Sequence, residues 1–199
     1  MKTLVILNGE CKDLTYLKVL SESFDKIICA DGGYLHAVAS GIVPDIVVGD
    51  FDSSELPGDV ECLVYPKDKD LSDAEIAIEY ALENFGNDIT LTCALGKRLD
   101  HQLFNIFILI KYPHVCIEEI NEKIFMCNAQ YEFCDFEGKT ISFLPVGYAN
   151  ISLKNFKYNL LNHDVKSGET VTLSNIALKN AAITVKDGKV IAVVNKNNI

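Results

Sequence analysis

Two aspartates in this sequence have the type and spacing that metal-assisted chemistry on a phosphate requires. Asp50 and Asp52 follow the apolar run 46–48 after Gly49, and side chains two residues apart on an extended chain point to the same side. Paired carboxylates are hard oxygen ligands, which suit Mg²⁺ on a phosphorylated substrate. The alternative is a polar turn in which Asp52 or Ser53 caps the local backbone.

Three further polar stretches, which begin at Asp31, Lys69 and Gly96, also follow apolar runs. In an open parallel sheet, ligands bind outside the carboxyl ends of the strands, so stretches that are distant in sequence can meet in one crevice. Glycines let the backbone approach a phosphate closely, and predicted helix starts at residues 73 and 100 favour anions. The candidate residues in these stretches are Asp31, Gly32, Gly33, Lys69, Ser72, Asp73, Arg98, Asp100, His101 and Asn105.

A site that gathers several carboxylates needs a counter-charge. Two carboxylates about 4 Å apart repel by about 4 kcal/mol at an effective dielectric constant of about 20. Mg²⁺ with a polyphosphate can offset that repulsion, and Arg98 and Lys69 are the nearby cations in sequence. The simpler alternatives are that Ser72 only caps a helix, that Arg98 and Asp100 form a surface ion pair, and that His101 only satisfies polar groups.

Alternating strands and helices must position these stretches as far as about residue 112. Helical periodicity is clearest over residues 72–85, which start with the capping-box pattern Ser72-Asp73-Ala74-Glu75. The alternation predicts an α/β domain with a mainly parallel, open, Rossmann-like sheet. The predicted strands are 4–7, 26–30, 46–48, 62–65 and 89–95, and the predicted helices are 14–21, 34–40, 72–85 and 99–110.

After Pro113 the sequence shows short strand candidates and no helical periodicity. Asp187-Gly188, between two apolar runs, predicts a hairpin turn. We expect an all-β sandwich or barrel here, which divides the chain into an α/β domain at residues 1–121 and a β-domain at residues 122–199. The predicted strands are 115–119, 123–126, 131–134, 140–144, 150–153, 158–161, 170–173, 182–185 and 190–194.

Charge and cysteine usage narrow the class of protein. The net charge of −10, from 28 acidic and 18 basic residues, argues against a nucleic-acid backbone as the main partner. The seven cysteines are scattered without Cys-x-x-Cys spacing, as expected of buried thiols in a reducing cytosol. The apolar run at the start is too short for a signal peptide or a membrane span. These features predict a soluble cytoplasmic protein.

Taken together and in order, the motifs resemble those of the thiamin pyrophosphokinase family. The resemblance is carried by Asp31-Gly32-Gly33, Gly49-Asp50-Phe51-Asp52-Ser53, residues 69–75 and residues 96–101 with Asn105. In the C-terminal part, Phe156-Lys157-Tyr158-Asn159-Leu160 and Leu173-Ser174-Asn175 are similar to that family's β-domain motifs. The resemblance covers nearly the whole chain.

The resemblance implies a thiamin diphosphokinase that moves the pyrophosphoryl group of ATP to the hydroxyl of thiamin and leaves AMP. It implies a homodimer with the active site near its interface, and ATP phosphates beside Ser72 and Arg98. It places thiamin near Ser174 and Asn175, with Tyr158 as a candidate aromatic platform because the sequence has no Trp. The residues implied as Mg²⁺ ligands are Asp50, Asp52, Asp73 and Asp100.

Three questions stay open at the level of sequence. Either Asp73 or Asp100 could orient or deprotonate the acceptor hydroxyl. The acceptor could be another small alcohol, such as a hydroxymethylpterin, and the chain could be a non-catalytic nucleotide-binding module. Lys97 departs from the family pattern, which frequently has Gly before Arg98, and adds a cation near the phosphates.

Overall fold

The computed structural model of the chain describes residues 1–49, 60–65 and 70–197. The chain forms two compact units. The first comprises Met1–Ile108 and Ile117–Ile120, and the second comprises Leu109–Cys116 and Asn121–Ile199. Three residues predicted for the site, Asp50, Asp52 and Lys69, lie outside the described part of the chain.

The first unit contains the parallel pairing that the sequence predicts. Strands β1, β2, β3, β4 and β5 pair in parallel in the spatial order β5-β1-β2-β3-β4, and β6 neighbours β5. Most residues of β1, β3 and β5 are buried, and those of β1 and β3 are mainly apolar, as expected of parallel strands covered on both faces. The bounds are β1 Lys2–Ile6, β2 Lys26–Ala30, β3 Ile46–Gly49, β4 Glu61–Val64, β5 Asp88–Thr92 and β6 Cys116–Glu118.

Four α-helices follow the predicted ones to within one residue at almost every end. They are α1 Leu14–Ser21, α2 Gly33–Ala39, α3 Asp73–Asn84 and α4 Leu99–Lys111. The predicted capping box of α3 is confirmed, since Ser72 Oγ accepts from the Glu75 N–H at 3.2 Å and Glu75 Oε2 accepts from the Ser72 N–H at 3.2 Å. No helix in the described residues has the length and apolar character needed to cross a membrane.

The second unit is rich in antiparallel strands, as the sequence predicts. Its spatial order is β10-β9-β11-β7, and β8 also pairs with β11. Its core is apolar and contains Phe133, whose ring packs edge-on against Phe143 and Phe156 at centroid distances of 5.7 and 5.8 Å. The bounds are β7 Glu122–Cys127, β8 Gln130–Glu132, β9 Thr140–Phe156, β10 Leu160–Lys166 and β11 Asn175–Asn195.

The hairpin predicted at Asp187-Gly188 is wrong, because β11 runs straight through this dipeptide. The register against β9 shifts on either side of it, and Gly188 has a φ of +83°. A Cβ atom at Gly188 would lie 2.1 Å from the Tyr148 carbonyl oxygen. Glycine is therefore needed for a bulge at a close contact between two long strands, and not for a turn.

The strand predicted at residues 170–173 is also wrong. This segment is a turn closed by a hydrogen bond from the Leu173 N–H to the Thr170 carbonyl at 3.0 Å. The buried Thr172 hydroxyl donates to the Phe143 carbonyl at 2.5 Å. A β-branched residue that looks like part of a strand is used here to fasten a loop to β9.

Candidate active site

A cavity of about 520 Å³ in the first unit is lined by residues just beyond the carboxyl ends of β1, β2 and β5. The first turns of α3 and α4 complete its wall. This is the edge at which open parallel sheets bind ligands. Six residues predicted from separate stretches of sequence meet here, namely Asp31, Ser72, Asp73, Arg98, His101 and Asn105.

Asp31 is held in a backbone conformation that non-glycine residues rarely adopt. Its φ is +47°, and its N–H donates to the Val48 carbonyl at 2.7 Å. Its carboxylate accepts from Asn8 Nδ2 at 3.2 Å, which joins the loop after β2 to the loop after β1. Left-handed residues also occur at Cys93 and Lys97, in the loop after β5. Such strained positions tend to concentrate at functional sites.

Gly32 and Gly33 stand beside this cavity, but neither is among its described lining residues. A Cβ atom at Gly33 would lie 2.1 Å from the Ile6 carbonyl oxygen, and one at Gly32 would lie 2.4 Å from Asn8 Nδ2. The two glycines therefore let the start of α2 come close to the end of β1. They therefore pack behind the cavity wall and shape it, whereas the sequence predicted that they would let the backbone approach a phosphate directly.

Arg98 and Asp100 form a two-pronged ion pair. Arg98 Nη2 donates to Asp100 Oδ2 at 2.6 Å, and Arg98 Nε donates to Asp100 Oδ1 at 3.1 Å. These hydrogen bonds lower the pKa of Asp100 to about 2 and raise the pKa of Arg98. Arg98 lines the cavity and Asp100 does not. The geometry thus gives Asp100 the task of fixing the direction of the guanidinium group.

For the activity that the family resemblance implies, we expect Asp100→Asn to raise the KM for ATP about 3- to 10-fold, because Arg98 loses one charged hydrogen-bond partner. Steady-state kinetics with ATP and thiamin varied separately measures this change. Asp88→Asn removes an exposed carboxylate at the start of β5 and is the matched control. An unchanged KM for ATP in the Asp100 variant would contradict the positioning role.

The backbone that leads into Arg98 is anchored by two residues. Glu119, only 9% exposed, accepts from the Ala94 N–H at 2.7 Å and from the Leu95 N–H at 3.3 Å. Asn105 Nδ2 donates to the Ala94 carbonyl at 2.7 Å. The sequence predicted Asn105 as a ligand contact but gave no signal for Glu119, which directly follows β6.

The cavity wall suits Mg²⁺ in the chemistry of its donors. Asp31 and Asp73 offer carboxylate oxygens and Asn8 offers an amide oxygen, all hard ligands. Among the described residues, no three His, Cys, Asp or Glu side chains stand close enough together to hold a metal ion. The donors therefore fit the ion in kind, and two of the four predicted ligands lie in the segment 50–59, outside the described residues.

The residues predicted to contact thiamin lie together in the second unit. Asn175 is buried, and its side chain accepts from the Tyr158 N–H at 3.0 Å and donates to the Tyr158 carbonyl at 2.7 Å. Ser174, next to it, has a φ of +56° and is exposed. The Tyr158 ring is 60% exposed, with Lys157 Nζ 5.5 Å from its centroid. Asn175 thus fixes the backbone that presents an exposed aromatic ring.

Two family models together match most of the chain. Residues 17–121 match "Thiamin pyrophosphokinase, catalytic domain", and residues 125–190 match "Thiamin pyrophosphokinase, vitamin B1 binding domain". The chain belongs to the thiamin pyrophosphokinase family. This assignment confirms the resemblance that the sequence motifs carry.

Individual members of the thiamin pyrophosphokinase family resemble the chain along nearly its whole length. Thiamine pyrophosphokinase of Bacillus subtilis is 30% identical over 191 residues, which covers 88% of this chain and 89% of that protein. Thiamine pyrophosphokinase 2 of Arabidopsis thaliana is 27% identical, covering 92% and 81%. The crystal structure of the Bacillus subtilis thiamine pyrophosphokinase superimposes with a TM-score of 0.83 at 23% identity, covering 99% and 100%. The fold is therefore that of the thiamin pyrophosphokinases.

Proposed function

We propose that the chain transfers the pyrophosphoryl group of ATP to the hydroxyl of thiamin, giving thiamin diphosphate and AMP. The observation that carries this proposal is the match of two successive parts of the chain to the catalytic and vitamin B1 binding domains of one family. The cavity supports it, because it sets cationic and carboxylate side chains side by side at the carboxyl edge of a parallel sheet.

In the proposed reaction, the thiamin hydroxyl oxygen attacks the β-phosphorus of ATP. The bond from that phosphorus to the oxygen bridging the α-phosphate breaks, AMP leaves, and the hydroxyl proton passes to a nearby base. Arg98 and Ser72 bind phosphate oxygens, and Arg98 stabilises the charge on the transferred group. Asp73 lines the cavity, whereas Asp100 is not among the described lining residues, so Asp73 is the carboxylate we assign to orient the hydroxyl.

We also propose that Mg²⁺ would offset the negative charge of the phosphates when ATP binds. We propose Asp50, Asp52, Asp73 and Asp100 as its ligands, with Arg98 held beside them by Asp100. The other residues that we propose to bind ATP are Asp31, Gly32, Gly33, Lys69, His101 and Asn105. The residues that we propose to bind thiamin are Ser174, Asn175 and Tyr158.

The same proposal assigns a role to each of the two domains and a location in the cell to the protein. Residues 1–121 form the Rossmann-like nucleotide-binding domain, and residues 122–199 form a β-sandwich that binds thiamin. No disulfide joins any of the seven cysteines, all of which lie at described positions, and this supports a place in the reducing cytoplasm. We propose ATP and thiamin as the partners, with neither nucleic acid nor membrane among them.

A homodimer is proposed because one face of α4 is apolar and exposed. Leu99, Leu103 and Phe107 follow one another at four-residue spacing, and Phe104 beside them is 74% exposed. Contiguous exposed apolar residues of this kind typically mark a protein interface. A second copy of the chain is the occupant we propose, because the family resemblance implies a homodimer.

Phe104→Glu should weaken that dimer by at least about 100-fold, since it would place an unpaired charge in an apolar interface. Light scattering coupled to size exclusion at micromolar concentrations measures the mass. Val43→Glu is the matched control, because Val43 is 81% exposed and lies outside α4. Equal masses for wild type and the Phe104 variant would rule out this face as the interface.

AMP release with and without thiamin tests the proposed function. We expect release only when Mg-ATP and thiamin are both present, together with stoichiometric thiamin diphosphate. Release that depends on a hydroxymethylpterin instead would support the alternative acceptor. ATP binding without turnover would support a non-catalytic module; the family match favours neither alternative.

A further inference from the structure

We propose that Lys97 is a second phosphate-binding cation of the ATP site, alongside Arg98. This inference rests on the proposed function and adds to it a residue that the family resemblance does not assign. Lys97 lines the same cavity as Arg98, Ser72 and Asp73. It differs from an ordinary surface lysine in its backbone conformation, in the direction of its side chain and in how far nearby carboxylates compensate its charge.

The first respect is its backbone. Lys97 has a φ of +56°, a left-handed conformation that residues with side chains rarely adopt, and it follows Gly96 at +78°. A glycine would adopt the same turn without strain. A long charged side chain held in a strained conformation at a cavity is the kind of outlier from which function can be inferred.

The second respect is the direction of the side chain. Lys97 Nζ donates to the Asn8 backbone carbonyl and to Asn8 Oδ1, each at 3.0 Å. Asn8 in turn donates to Asp31. The Lys97 side chain therefore reaches from the loop after β5 to the loop after β1, along the cavity wall. An ammonium carries three donors, so these two bonds leave one for a ligand.

The third respect is charge compensation. Among the described residues, Arg98 is within ion-pair distance of a carboxylate and Lys97 is not, because both acceptors of Lys97 belong to a neutral asparagine. Of these two positive charges on the described cavity wall, the charge of Lys97 is therefore less compensated by a carboxylate than the charge of Arg98. Phosphate oxygens of ATP are the acceptors that such a compact ammonium group binds.

Calorimetric titration with Mg-ATP tests this role through two variants. Lys97→Met keeps the stem and removes the charge, and Lys97→Gly also relieves the left-handed backbone, so its melting temperature should equal or exceed that of wild type. We expect both to bind Mg-ATP about 10- to 30-fold more weakly, with an unchanged KM for thiamin. Lys18→Met is the control, because Lys18 Nζ also donates to a backbone carbonyl but lies outside the cavity lining.

The outcomes separate this inference from the proposed function. If both folded Lys97 variants bind Mg-ATP within about twofold of wild type, Lys97 does not bind phosphate and only ties Asn8 in place. If wild type binds Mg-ATP but releases no AMP with thiamin, the proposed function fails while the comparison of Lys97 variants still stands. If wild type does not bind Mg-ATP, both are overturned.

Discussion

Replacing Asp73 by Asn should lower the kcat of thiamin-dependent AMP release by about 100- to 1,000-fold, which is the range expected when one charged group at a reacting phosphate is lost. Asp73 is the first residue of α3 and lines the cavity. An amide keeps the shape of the side chain but removes the anionic oxygen that we propose as a Mg²⁺ ligand and as the group that orients the acceptor hydroxyl. Initial rates at saturating ATP and thiamin measure the loss.

Glu75→Gln is the matched control for this variant. Glu75 lies in the same first turn of α3, so its substitution removes the same charge from the same helix end. Glutamine preserves the capping box, in which the side-chain oxygen accepts from the Ser72 N–H. If the Asp73 and Glu75 variants lose activity equally, the effect belongs to the helix end and Asp73 has no chemical role.

Replacing Glu119 by Ala destabilises the folded protein by about 2–4 kcal/mol, because two backbone N–H groups lose a charged acceptor. The first of them, on Ala94, belongs to the cavity lining, and the chain continues through Leu95 to Arg98. The loop should therefore lose its shape as well as its stability. We expect the KM for ATP to rise at temperatures at which the variant is still fully folded. Urea unfolding and steady-state kinetics measure the two effects.

Rescue by Glu119→Gln separates positioning from general stability. Glutamine retains an oxygen that can accept from the Ala94 N–H, so this variant should recover most of the ATP affinity. A variant that stays destabilised and yet binds ATP normally would show that Glu119 holds the fold and not the site. Equal kinetic defects in the Ala and Gln variants would show that the negative charge itself matters.

The positions of site residues were predictable where local sequence rules decide them. Ser72 and Glu75 form a capping box three residues apart, and Asp31 follows a buried strand of five residues. These signals are short-range, so one sequence suffices to read them. Their convergence follows from the parallel sheet, which the alternation of strands and helices already predicts.

Other site residues could not be found in this way, because their partners are remote in the chain. Glu119 contacts Ala94 across 25 positions, and Lys97 contacts Asn8 across 89. Nothing in the neighbouring sequence of either residue indicates such a partner. The same limit applies to Gly188, because its close neighbour, the Tyr148 carbonyl, is also remote in the chain. The Asp187-Gly188 dipeptide is a typical hairpin signal, but here it forms a bulge within one long strand.

The interleaving of the two units in the chain decides how the protein can be dissected. The short segment 117–120 belongs to the first unit, although the residues on both sides of it belong to the second. A fragment that ends at residue 108 lacks the carboxylate of Glu119, and one that ends at residue 121 carries residues 109–116 away from their own unit. No single cut in the chain separates the two units, so a fragment intended to retain one complete unit must include residues of the other.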